Sequence, residues 1–188
     1  MIYVVFMRIC NRIKSVLKII IYKCLYGKQL SILDFFSNHY KGKLDIQMLD
    51  RDSKVFMGKN NISVGPLYIL CSGEGKITIG SGNFFNHNVS LTAKRNILIG
   101  NECMFGNNVV IVDHDHNVSV GIEKIDYIEE DIVINDYCWI GANVTITKGV
   151  SIGCHSVVAA NSVVNKSIPE GEMWGGVPAK KIKSIDFE

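Results

Sequence analysis

The chain has 188 residues, 47% of them hydrophobic, and a net charge of +2, which suits a single domain with a substantial core. Three prolines leave no Pro-rich linker to divide it. Six cysteines without CxxC spacing argue against a disulfide framework and for a reducing, cytoplasmic setting.

The modest global charge hides an asymmetry. Residues 1–43 carry eight Lys/Arg (Arg8, Arg12, Lys14, Lys18, Lys23, Lys28, Lys41 and Lys43) against Asp34 alone, a net +7, leaving −5 for the remainder. Ile9, Ile13, Val16, Leu17, Ile20, Cys24 and Leu25 recur at helical spacing, with Arg8, Asn11, Ser15 and Lys18 on the other side. The spacing predicts a basic amphipathic helix. No apolar run approaches the ~20 residues that span a bilayer, and charges interrupt any signal-peptide core. Two uses of residues 1–26 stay open: peripheral docking on the anionic inner face of a membrane, or covering the open edge of the fold that follows. No basic patch is interleaved with aromatics, so nucleic acid is not an expected partner.

Downstream, Val55 to Ile69 reads as a degraded repeat with Gly58, Asn60 and Gly65 as corner candidates. Ile79, Phe85 and Leu91 are six apart, as are Ile99, Phe105 and Ile111, with a two-residue register break between Thr92 and Ile97. Ile134, Ile140, Ile146, Ile152, Val158 and Val164 then keep a six-residue period without a slip. Period six is neither the helix nor the strand period, so it marks a repeating coil. Position i+4 of the same frame is Cys138, Val144, Val150, Ser156 and Ser162, small or β-branched each time, and Cys103 shares such an inward site. A short flat strand with one inward anchor, followed by a tight corner, accounts for both positions. Three hexads make a triangular coil of 18 residues, so the fold class is an all-β solenoid.

The period fails between Ile111 and Ile134, a gap holding Val112-Asp113-His114-Asp115-His116-Asn117. Insertions in solenoids map to loops, and loops on rigid scaffolds carry function. The expected organisation is a helical segment at 1–43, a β-helix at 44–170 with a catalytic loop at 112–131, and a C-terminal tail at 171–188.

The stretch Ile134-Asn-Asp-Tyr-Cys-Trp139-Ile-Gly-Ala-Asn-Val-Thr-Ile resembles the hexapeptide-repeat acyltransferases, the left-handed β-helix family. So do Val163-Val-Asn-Lys166-Ser-Ile-Pro169 and Gly175-Gly-Val-Pro178-Ala-Lys-Lys. Within that family the chain is most similar to maltose/galactoside-type O-acetyltransferases and to relatives that decorate bacterial surface polysaccharides, over roughly residues 55–185. The resemblance implies left-handed coiling, which physics alone does not favour. It also implies acetyl-CoA as donor, no metal, and a homotrimer with sites at subunit interfaces. Three departures stand out: no helical domain motif of the maltose-acetyltransferase type precedes the repeats, Val118–Glu130 lacks a proline common before the next coil, and Trp174 stands where smaller residues are frequent.

Acetyl transfer from a thioester to a hydroxyl needs a base near neutral pH and donors for the tetrahedral oxyanion. His114, three residues past Ile111, stands where the family's catalytic His follows its last hexad. His116 is a candidate acceptor contact. Asp113 and Asp115 either orient the imidazole, bind acceptor hydroxyls or simply form the turn. Trp139, large and apolar at an outward position, is implied to line the acceptor and thioester pocket, and Asn86 to bind the acceptor. The resemblance lays acetyl-CoA along the groove between coils, on the backbone N–H groups of Ala142 and Ala160, with Lys166, Lys180 and Lys181 (and Lys183) near its phosphates. His87 and His155 read as surface residues.

The expected activity is therefore acetyl-CoA-dependent O-acetylation of a sugar hydroxyl in surface-polysaccharide synthesis, with a small-molecule or lipid-linked saccharide as acceptor. The alternatives are N-acetylation of an amino-sugar nucleotide or of an antibiotic. A zinc-dependent γ-type carbonic anhydrase shares the fold but needs three convergent His ligands, and His114 and His116 are too close in sequence for its spacing.

Overall fold

The computed structural model describes residues 2–34, 36–121 and 123–186, without the side chains of residues 2–11. The expectations for Arg8, Ile9 and Asn11 lie outside the described side chains.

After an N-terminal helix, α1 (Ile2–Tyr26), the chain winds through six triangular coils. The first face stacks Leu30–Ile32, Lys54–Met57, Lys76–Ile79, Asn96–Ile99, Ile132–Ile134 and Ser151–Ile152. The second stacks His39–Tyr40, Ile62–Ser63, Phe84–Phe85, Met104–Phe105, Trp139–Ile140, Val157–Val158 and Glu172–Gly176. The third stacks Leu44–Met48, Leu67–Cys71, Val89–Ala93, Val110–Val112, Thr145–Ile146 and Val163–Val164. Every pairing within these stacks is parallel. The fold is a left-handed parallel β-helix. Its corners turn on residues held at positive φ, among them Asn60, Glu102, Tyr137 and His155 at one corner and Asn88, Asn108, Asn143 and Asn161 at another. Asn tolerates that region better than most residues.

The register gives the coil lengths. Leu30 pairs with Val55, 25 residues on; Val55 with Ile77, 22 on; Ile77 with Ile97, 20 on. Ile134 pairs with Ile152, 18 on, and Ile152 with Ile168, 16 on. The solenoid tapers toward its C-terminal end. Only the fifth coil has three clean hexads, which is why the six-residue period is sharp after Ile134 and slips before it.

Inward residues form continuous columns. The second-face column runs Tyr40, Ser63, Phe85, Phe105, Ile140, Val158, Trp174, with Phe85 and Phe105 stacked at 4.9 Å. Trp174 thus follows Val158 in register at the open bottom, partly buried against the core. A large flat side chain is useful where no further coil supplies cover. An antiparallel hairpin partner, Ala179–Ser184, then closes the second face.

The solenoid begins earlier than residue 44, because Leu30, Ile32 and Tyr40 already face inward and are buried. Its long first coil dilutes the hexad signal, so sequence spacing alone assigned those residues to the helical segment. The helix itself covers the first coil, and it does so with its polar side. Ser15 Oγ donates to the Tyr40 carbonyl, Lys18 Nζ to Gly42, Tyr22 to Leu44, and Tyr26 to Ile46, at 2.6–3.0 Å. Lys23 Nζ donates to Leu30. Edge carbonyls that would otherwise await another strand are satisfied by side chains, and Ile19 fills the gap beneath them.

Candidate active site

The interruption after Ile111 is an ordered arm. His114–His116 pairs antiparallel with Tyr127–Glu129, setting His114 opposite Glu129 and His116 opposite Tyr127. The arm leaves the corner between the third and first faces of the fourth coil and returns to Ile132. Lys148 of the next coil ties it down, lying 3.4 Å from Asp115 and 3.3 Å from Glu130.

Asp113 occupies the inward position that Cys71 and Ala93 hold in the coils above, and it is fully buried. Its carboxylate accepts the backbone N–H groups of Lys94 (2.9 Å) and Arg95 (2.8 Å), and Oδ1 also meets His114 Nδ1 at 2.9 Å. Both oxygens are thus engaged within the fold. Of the roles the sequence leaves open for Asp113, these contacts are those of a carboxylate that holds the corner and the imidazole. A carboxylate in that role accepts, so in the neutral imidazole Nδ1 carries the proton and Nε2 is the nitrogen that can act as a base. The His114 side chain is 14% exposed, held in place but reachable.

Tyr127 completes the cluster. Its ring lies edge-on to His114 at 5.4 Å and tilted to His116 at 4.7 Å, and Lys94 Nζ sits 3.9 Å over it. Neither Tyr127 nor Lys94 was singled out by spacing, because their proximity to His114 follows from arm register and coil stacking. Beside the arm, an open polar groove of about 590 Å³ is lined by Lys76, Lys94, Arg95, Glu129 and Asp131 among others. Arg95 and Asp131 pair across it at 2.6 Å.

The remaining candidates lie elsewhere on the prism. Trp139 projects from the second face, 52% exposed, in an outward column with Phe84, Met104 and Val157. Ala142 and Ala160 stack at the corner between the second and third faces. There the coils touch closely: a Cβ on Gly141 would lie 2.6 Å from Ala160 N, and one on Gly106 2.6 Å from Ala142 N. Two coils above Ala142, the His87 N–H is accepted by Asn86 Oδ1 and Asn107 Oδ1. Alanine supplies no such oxygen, and among the described residues the N–H groups of Ala142 and Ala160 have no protein acceptor. Asn86 is at the same corner, its Oδ1 taken by His87, so its amide N–H donors remain for a ligand. Lys180 lies on the C-terminal hairpin, as does Lys181, which is paired with Glu172 at 2.6 Å. Lys166 follows Val163–Val164 and so stands at His114's corner, not that of the alanines.

One chain therefore brings together His114, Asp113, His116, Tyr127 and Lys94 at one corner, and Asn86, Ala142 and Ala160 at another, with Trp139 on the adjoining face. The third face separates the two sets. No three His, Cys, Asp or Glu side chains converge as a metal-binding set among the described residues.

Known proteins match this architecture. A family model described as the hexapeptide repeat of succinyl-transferase matches residues 131–166. The galactoside O-acetyltransferase of Lactococcus lactis is 34% identical over 149 residues, 76% of this chain and 71% of that one. The Escherichia coli protein WbbJ, named for O-acetyl transfer in lipopolysaccharide biosynthesis, is 32% identical over 149 residues, 73% of this chain and 75% of its own. A hexapeptide-repeat acetyltransferase of Vibrio cholerae, solved with acetyl-CoA, aligns over 95% of this chain and 87% of its own at 26% identity and a TM-score of 0.51.

Proposed function

The chain belongs to the hexapeptide-repeat acyltransferase family and is an acetyltransferase; from that premise we propose that it moves acetyl from acetyl-CoA to a sugar hydroxyl during bacterial surface-polysaccharide synthesis. The observation that carries the reading is the Asp113–His114 pair, an imidazole held through Nδ1 by a buried carboxylate. Nε2 takes the acceptor hydroxyl's proton as the oxygen attacks the thioester carbonyl. The C–S bond then breaks, and the departing thiolate receives the proton. His116 and Tyr127 flank the acceptor, and Asn86 donates to it.

The corner at Ala142 and Ala160 suits the donor. Unpaired N–H groups one coil apart fit the carbonyls of a pantetheine arm, and the small side chains let it approach. The Ala142 N–H is the candidate oxyanion donor. Lys166 and Lys180 offer charge to the CoA phosphates, whereas Lys181 already has Glu172.

Base and donor corners lie across a face from each other, so a complete site needs two copies. Side-by-side packing about a three-fold axis would bring the His114 corner of one copy to the Trp139–Ala142 corner of the next, and the outward column of half-buried Phe84 with exposed Met104 and Trp139 is apolar surface suited to that contact. We therefore read the active form as a homotrimer. A CoA-release screen over hydroxyl and amino sugars, with mass spectrometry locating the added acetyl group, tests the assignment. Release with amino sugars alone would make this an N-acetyltransferase.

A further inference from the structure

The N-terminal helix spends its polar side on the first coil, which leaves its apolar side outward. Ile13, Leu17, Ile20, Ile21 and Leu25 are each 44–68% exposed and fall in one stripe opposite Ser15, Ile19, Tyr22 and Tyr26. The inversion matters because a helix that merely covers a fold turns its apolar side in. Leu33, Phe36 and Leu49, at turns of the same first coil, are exposed as well. The helix stripe and these turn residues make this end rich in exposed apolar side chains, with Asp34, Asp50 and Asp52 exposed at the same turns, and the exposed cations Arg12, Lys14, Lys28 and Lys41 lie in the segment that holds the chain's entire positive excess.

We infer that this end of the molecule docks on an anionic lipid surface, with the helix lying along the interface. An apolar stripe bordered by lysines matches the layering of acyl chains beneath negative headgroups. No helix among the described residues is long and apolar enough to cross a membrane, so the stripe lies in the surface and does not span it. A second copy of the chain is the weaker occupant: prisms packed side by side meet through their faces, and the stripe is on the end. Parallel packing would also set the helices of a trimer on one plane, where several weak contacts act together.

The test is co-sedimentation of the full chain with phosphatidylcholine vesicles containing or lacking phosphatidylglycerol, at low salt. Wild-type protein should pellet with the anionic vesicles only. Ile21→Glu with Leu25→Glu should weaken partitioning at least about 100-fold, because two large apolar side chains lose their burial. Lys14→Glu with Lys28→Glu should weaken it about 25-fold, roughly fivefold per lysine. These side chains make no core contacts, so acetyl transfer to a water-soluble acceptor should persist and report that each variant is folded. Wild-type protein that stays in the supernatant with anionic vesicles overturns the inference. So does an Ile21→Glu, Leu25→Glu variant that pellets like wild type, or one whose change is in oligomeric mass by light scattering instead of in lipid binding, which would assign the stripe to a second copy.

Discussion

Asp113 faces the interior of the solenoid and His114 follows it outward, yet the imidazole turns back so that Nδ1 lies 2.9 Å from the buried carboxylate. The pair couples the chemistry to the core. His114→Ala should lower turnover by about 10²–10⁴-fold with little change in the Michaelis constant for acetyl-CoA, the range for loss of a general base. Asp113→Asn should lower turnover comparably and also lower thermal stability by about 1–3 kcal/mol, since its amide cannot accept all three N–H groups. Steady-state kinetics with a thermal melt separates the two. Full activity in His114→Ala would end the base assignment.

Ala142→Leu and Ala160→Leu should each raise the Michaelis constant for acetyl-CoA while leaving the oligomer folded. Their corner has open backbone N–H groups and no room to spare. An unchanged constant in both would put the donor elsewhere.

The division of the site between corners makes a sharper forecast. His114→Ala chains and Ala160→Leu chains, each impaired alone, should recover activity when co-refolded. Random assembly would leave roughly one quarter of interfaces with both functional corners. No recovery, with mixed oligomers present by mass spectrometry, would mean that each chain holds a site of its own.

At the corner carrying the alanines, four asparagine side chains form a ladder. Asn88 donates to Asn108 (3.1 Å), Asn108 to Asn143 (2.9 Å) and Asn143 to Asn161 (3.0 Å), all at positive φ. Asn143→Ala loses two amide bonds and forces alanine into the left-handed region, for a cost of about 2–4 kcal/mol. Asn143→Gly relieves the backbone term, so it should lie between wild type and Asn143→Ala in denaturant titrations. Equal stability of all three would show that the ladder contributes nothing.

Alkaline pH should loosen the fold. Burial first, and the charge of Asp113 second, push the Cys71 thiol up from 9.0 to about 12. The unfolded chain therefore ionises this thiol first, so its stabilising contribution is present below pH 9 and is lost as pH rises toward 12. Tyr40, raised by burial, acts in the same sense. Melting temperature should fall through this window, and less steeply in Cys71→Ala. A slope identical in both proteins would exclude the thiol.

The sequence revealed the period, the inward small residues and the interruption at Ile111, because each depends on local spacing. Asp113 shows where spacing was available but read differently. It falls two residues after Ile111, in the alternation that also buries Cys71 and Ala93, but an aspartate in a loop left an imidazole partner, an acceptor contact and a turn equally open. Burial was settled by the N–H groups of Lys94 and Arg95, contributed from another coil. Tyr127 and Lys94 were invisible for the same reason. The N-terminal helix was legible as amphipathic, but not which side it would turn inward. That depended on unpaired carbonyls at the first coil's edge, which the donors of Ser15, Lys18, Tyr22, Lys23 and Tyr26 satisfy and which a buried apolar stripe would have left unpaired.

The stacking of coils also makes the molecule a ruler. Neighbouring parallel strands lie about 4.8 Å apart, so the fourth coil, where His114 departs, stands about 14 Å below the first. A helix of about 10 Å diameter on top brings that distance to about 25 Å. Were the helix to rest on a lipid plane as inferred above, an acceptor anchored in that plane would need a tether of about this length to bring a hydroxyl to His114. Each added coil would lengthen the reach by one strand spacing. Selectivity for chain length would then be set by the number of repeats, without any contact to the intervening units.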